Sequence, residues 1–251
     1  MRHYAMPAAL ARLASRFVAF LLLLAALALP AAAGDRALVD FIGYSEDGTK
    51  FAFEEYGVHD GSGFAYSSIY VVDLVADKWM YGSPFHALAG DADADRKLAD
   101  VRGEVMAKAI GKLKEAGIGR GVEVLALLGD GVPDNDGKAL KFASPLCCSP
   151  GQVQEPVYSL NLETFPVEPT EDYCADMNPV GYALDFSDGE SSVELHRDGA
   201  TLPKSRGCTL DYRLYAVLRP FEDGSHRVAI VSSYPFGFEG PDRRFLAVPI
   251  D

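Results

Sequence analysis

Seven Asp-Gly dipeptides punctuate the chain, beginning at Asp47, Asp60, Asp130, Asp136, Asp188, Asp198 and Asp223. Both residues of such a pair tolerate positive φ, which a tight turn between antiparallel strands demands. The flanks read as strands: YALDFSDGESSVEL puts Leu184 and Phe186 before a turn and Val193 and Leu195 after it. Similar runs are SSIYVVDL, VEVLALL, VYSLNLETF, DYRLYAVL, HRVAIVSSY and RRFLAVPI. The expected fold is mainly β, with antiparallel hairpins in sandwich-like or partial propeller-like sheets.

One segment has a different period. Leu98, Val101, Val105, Ala109 and Leu113 recur every three or four positions, the stripe of an amphipathic helix at about 93–116. Asp91, Asp93 and Asp95 stand at its start and Lys112 and Lys114 near its end, as the helix dipole favours. Gly117 followed by Ile118 fits a C-terminal cap.

The amino terminus has the plan of an export signal. Arg2, Arg12 and Arg16 precede an apolar run from Phe17 to Leu29, too short for the ~20 residues that a spanning helix needs. Pro30 and Ala31-Ala32-Ala33 follow, so residues 1–33 read as a cleaved signal peptide and 34–251 as a single secreted β-rich domain, in the periplasm or beyond. Cleavage removes three of the 23 basic residues and none of the 36 acids, deepening a net charge of −13. Such a surface repels phosphate backbones and anionic lipid, which argues against nucleic acid as a partner and against membrane binding by the mature form. Export also makes Cys147, Cys148, Cys174 and Cys208 disulfide candidates. A bridge between the adjacent Cys147 and Cys148 would strain the backbone, so each is expected to pair with Cys174 or Cys208. The alternative is one bridge and two free thiols.

The two ends share a pattern. Glu46-Asp47-Gly48-Thr49 and Glu222-Asp223-Gly224-Ser225 each lead into an apolar-Ala-apolar triplet, Phe51-Ala52-Phe53 and Val228-Ala229-Ile230. Each then has a tyrosine, a glycine-rich loop and a second strand, an expected internal repeat of about 30 residues with one-or-two-residue slips in the loops. The segment SEDGTKFAFEEYG…SSIYVVDL resembles a blade of the TolB-type, WD-like propellers, although a closed propeller needs at least four blades. Over a longer span, GDRALVDFIGYSEDGTKFAFEEYGVHDGSGFAYSSIYVVD, KSRGCTLDYRL and GFEGPDRRFLAVPI resemble a bacterial family labelled predicted secreted protein. That family has no assigned activity, so the resemblance implies a location and a domain extent.

Chemistry-bearing motifs are sparse. GDGVPDNDG resembles the calcium loops of thrombospondin type 3 repeats, with Asp130, Asp134 and Asp136 as candidate oxygen ligands; a polar turn explains the same residues. No cofactor other than calcium is suggested. The histidines fall in no zinc-site spacing, no G-x-S-x-G elbow occurs, and the His196-Arg197-Asp198 triplet lacks the kinase elements that would give it meaning. What remains is two aromatic, glycine-rich loops. The first offers Tyr56, His59, Asp60, Phe64 and Tyr66; the second offers Tyr234, Phe236, Phe238, Asp242, Arg243 and Arg244. Rings and arginines are enriched at recognition sites. The expectation is a non-catalytic exported protein that binds a partner protein or an envelope ligand through these loops. A hydrolase with a dispersed active site around His59 and Asp60, or a calcium-stabilised structural protein, is the alternative.

Overall fold

The computed structural model describes residues 34–129, 134–145, 153–222 and 226–250. Three antiparallel sheets account for most of them. The first holds β1 (Leu38–Ser45), β2 (Lys50–Val58), β3 (Ala65–Asp73), β4 (Lys78–Trp79), β5 (Phe85–Leu88) and β6 (Ile118–Arg120), in the order β4-β3-β2-β1-β6 with β5 also on β3. The second is β14-β13-β12-β7, built from β7 (Val122–Leu127), β12 (Thr209–Pro220), β13 (Arg227–Pro235) and β14 (Arg244–Ile250). The third is β11-β10-β9-β8, from β8 (Ala139–Pro145), β9 (Val153–Pro166), β10 (Val180–Ser187) and β11 (Ser192–Arg197). The described residues form three sheets, fewer than the four blades that a closed propeller ring needs.

The sheets stack face to face, with α1 (Leu98–Glu115) on the outside of the first. Alternation along each strand sets the layers. In β2 and β3, Ala52, Ile69 and Val71 pack under Val101, Val105 and Ala109 of α1, while Phe51, Phe53 and Val72 face the second sheet. Ala216, Leu218, Val228 and Ile230 answer them, and Leu214, Val217, Ala229 and Val231 turn the other way, onto Leu160, Leu184 and Phe186 of the third sheet. The second sheet is therefore buried on both faces, which explains the unbroken apolar run VAIV in β13. Each fully buried side chain of this size contributes about 1.5–3 kcal/mol.

The helix begins at Leu98, five residues later than expected. Asp91–Asp93 form a separate 3-10 turn, closed by the Asp93 carboxylate accepting from the Gly90 amide at 2.8 Å. Asp91 and Asp93, expected in the first turn of α1, belong to that separate turn. At the other end Gly117 has φ +68° and its amide donates to the Lys114 carbonyl, with Ile118 packed in the core below. The Asp-Gly pairs divide. Asp47 turns β1 into β2, its carboxylate accepting from Ser45 Oγ and from the Thr49 amide, and Asp188 turns β10 into β11. Asp60 lies in the longer β2–β3 loop, whereas Asp198 is buried and makes no hairpin; its carboxylate accepts from the Tyr182 amide at 3.0 Å. Asp130 and Asp223 lie outside the described residues.

Two expectations are corrected. β2–β3 and β13–β14 are both antiparallel hairpins, but Phe51 pairs with Val72 whereas Val228 pairs with Pro249, one residue past the position the repeat requires. A slip of one residue exchanges the faces of a strand, so the duplication does not extend to register. Cys174 and Cys208 are buried free thiols, the Cys208 thiol donating to Met177 Sδ at 3.9 Å, and Cys147 and Cys148 lie outside the described residues. The 3-10 turn Asp172–Cys174 packs against the start of β12, which brings Cys174 beside Cys208 and leaves no bridge among the described residues.

Candidate functional site

The two glycine-rich loops, far apart in sequence, meet around Asp35. Its carboxylate is hydrogen-bonded to Nδ1 of His59 and accepts from the Asp60 amide at 2.6 Å, while its own amide donates to Asp242 Oδ1 at 2.9 Å. The Arg243 amide donates to the Asp35 carbonyl at 2.7 Å. One extended residue thus laces the β2–β3 loop to the β13–β14 loop, and a hollow of about 280 Å3 between them is bordered by His59, Asp60, Phe238, Glu239 and Asp242. Burial would raise the Asp35 carboxyl, but the His59 ring, the Asp60 amide and the Arg244 charge together hold it below its ordinary value. Burial raises Asp242, and a hydrogen bond with Asp60 raises Glu239. Phe238 stands 96% exposed at the rim.

Arg244 sits behind this junction. One of its Nη atoms donates to Tyr66 Oη at 2.9 Å, and its charge lies 3.7 Å from Glu55, 3.8 Å from Asp35 and 3.9 Å from Asp242. The His59 ring stacks on Tyr66 with centroids 4.5 Å apart. Burial pushes the Tyr66 hydroxyl up to about 12. Beneath them, Glu55 is 3% exposed, accepts from the Phe245 amide at 2.9 Å, and is pushed by burial up to about 7.

Of the eleven loop residues expected in the site, His59, Asp60, Tyr66, Phe238, Asp242 and Arg244 come together. The others do not. Tyr56 points to the helix side of the first sheet, under the Arg102 guanidinium at 3.7 Å. Phe64 packs in the core below α1, and Tyr234 lies against Arg213. Phe236 is held by its amide to the Cys208 carbonyl, away from the hollow. Arg243 is buried and donates through Nε and Nη to the Ala37 carbonyl, a structural role for a residue expected at the surface. The dispersed triad also changes, since Asp35 and not Asp60 holds His59 through its side chain, and no hydroxyl or thiol is bonded to His59 among the described residues. Of the calcium candidates, Asp130 lies outside the described residues and Asp134–Gly137 form a 3-10 turn. Among the described residues no group of three or more His, Cys, Asp and Glu is arranged to hold a metal.

Sequence reasoning missed Asp35 and Glu55. Glu54-Glu55 inside the apolar strand FAFEEYG was the available signal, because two adjacent acids in a strand face opposite layers and one of them must be buried. Both are. Glu54 is 4% exposed on the helix side, where it accepts from Ser67 Oγ at 2.7 Å and from Arg102 Nε and Nη at 3.0 and 2.7 Å.

The class is a stack of antiparallel sheets with a hollow built by two loops; among the described residues no helix is long and apolar enough to cross a membrane. The family model described as predicted secreted protein (DUF2259) matches residues 52–251, and the chain belongs to that family, whose function is unknown. Comparison with curated proteins and with solved structures gives no match.

Proposed function

We propose that this is an exported, non-catalytic protein that binds a partner protein or an envelope ligand at the surface where the two loops meet. The observation that carries this reading is the lacing of both loops to Asp35, which fixes an exposed aromatic, Phe238, beside a walled hollow. Rings presented on a rigid support lose little entropy on binding. The test places a photo-crosslinking phenylalanine analogue at Phe238 and, as control, at Tyr81, which is equally exposed outside the hollow. A discrete adduct formed at position 238 alone is expected; the same adducts from both positions refute the reading. A hydrolase is the second reading, supported by the hydrogen bond of 2.9 Å between Ser68 Oγ and His86 Nδ1. Turnover of chromogenic esters that is abolished by Ser68→Ala would establish it in place of the first.

A further inference from the structure

One edge of each sheet, at β4, β14 and β11, borders a second cavity. Its main chamber, about 520 Å3, is bordered by Tyr66, Tyr70, Trp79, Arg206 and Phe245; an adjoining chamber of about 370 Å3 continues past Trp79 and Arg206 to Tyr182 and His196. These volumes lie in the range of small-molecule sites. The floor is β14, the edge strand of the middle sheet. An edge strand invites pairing with an added peptide, but here the Phe245 amide is taken by Glu55 and Pro249 has no N–H. The groove is therefore built for side-chain recognition of a small molecule.

Its charge runs against the rest of the protein. In a chain with 36 acids and 23 basic residues, the two chambers are bordered by Lys78, Lys204, Arg206 and Arg244 and by only two acids, Glu55 and Asp77. Arg244 is matched by Glu55, Asp35 and Asp242, so it is not the anchor. Arg206 is less fully matched: it stands in the wall common to both chambers, with one Nη donating to Tyr212 Oη at 3.1 Å, and it has one carboxylate partner in place of three, Asp198 at 3.6 Å, which it shares with His196. A guanidinium carries five N–H donors, so Arg206 keeps donors for a bidentate anion. Lys204, on the same 3-10 turn, is mostly exposed and pairs with Glu171 at the surface. The ring of Trp79, 5.3 Å from that of Tyr70, offers a flat apolar wall next to these cations.

We infer that this cavity is a binding site for a small aromatic anion, a carboxylate or phosphate on a flat ring, with Lys204 and Arg206 holding the anion and Trp79, Tyr70 and Phe245 the ring. The turn that supplies both cations is the KSR of KSRGCTLDYRL, a segment to which the sequence alone assigned no role. The site is distinct from the loop surface proposed above, although His59 borders both.

Trp79 is the chain's single tryptophan, so its emission reports on this cavity alone. Titration of the intact protein with phenyl phosphate and with benzoate should give a saturable change in that emission, and benzyl alcohol should give none. Lys204→Gln should weaken both anions several-fold and Arg206→Gln at least tenfold, while Phe238→Ala, which disables only the loop surface, should leave them unchanged. Should Arg206→Gln not fold, Arg206→Lys keeps the charge and loses the fork, and must still weaken phenyl phosphate. No saturable response to either anion, or an equal response to benzyl alcohol, overturns the assignment.

Discussion

Replacing Glu55 by glutamine should change how the stability of this protein depends on pH. Glu55 is buried between β2 and β14, and burial pushes its carboxyl from the ordinary 4.5 up to about 7, against the pull of Arg244 and the Phe245 amide. The folded protein thus holds a proton that the unfolded chain has released. Stability from this group is present in full below about pH 4.5 and is lost as the pH rises through about 7. At about 1.4 kcal/mol per pH unit the gap amounts to about 3 kcal/mol. Glutamine resembles the protonated acid in shape and keeps an oxygen to accept from Phe245, so Glu55→Gln should remove the loss. Urea unfolding of both proteins between pH 5 and 8, followed by Trp79 emission, measures the difference. The variant should gain on the wild type by about 2–3 kcal/mol across that range. A difference that stays flat with pH, or that favours the wild type at pH 8, refutes the reasoning.

On the other face of β2, Arg102→Ala leaves Glu54 buried with only Ser67 as a partner, and should cost about 3 kcal/mol in the same unfolding assay, with part of the loss recovered by adding Glu54→Gln. Burial and Cys174 push the Cys208 thiol up to about 12, so iodoacetamide should label Cys208 of the reduced, native protein at neutral pH far more slowly than in urea; equal rates by peptide mass analysis would contradict the packing of that turn.

The layers were legible in the sequence because burial writes a period into it. The stripe from Leu98 to Leu113 and the turns at Asp47 and Asp188 are local, and local signals survive folding. Contacts between distant segments left no such trace. Arg243 reads as a surface cation because nothing near it in sequence shows that the Ala37 carbonyl will bury it. Tyr56 and Tyr66 look alike as loop aromatics, yet the strand pleat sends Tyr56 under Arg102 on the helix side while Tyr66 meets His59 and Arg244. Asp35 carries no motif; its importance lies in standing where two loops arrive. The Asp198-Gly199 pair has the letters of a hairpin turn, and the carboxylate is instead drawn into the third sheet by the Tyr182 amide and His196.

The account depends most on the two loops sharing one junction. Cysteines introduced at Asp60 and Glu239, which border the same hollow from the two loops, test this in the folded protein. Under a mild oxidant the two loops should become linked, with the peptides bearing positions 60 and 239 joined in the mass spectrum and unfolding shifted to higher urea. Failure of these peptides to join, while each new thiol still reacts with a small alkylating agent, would contradict it.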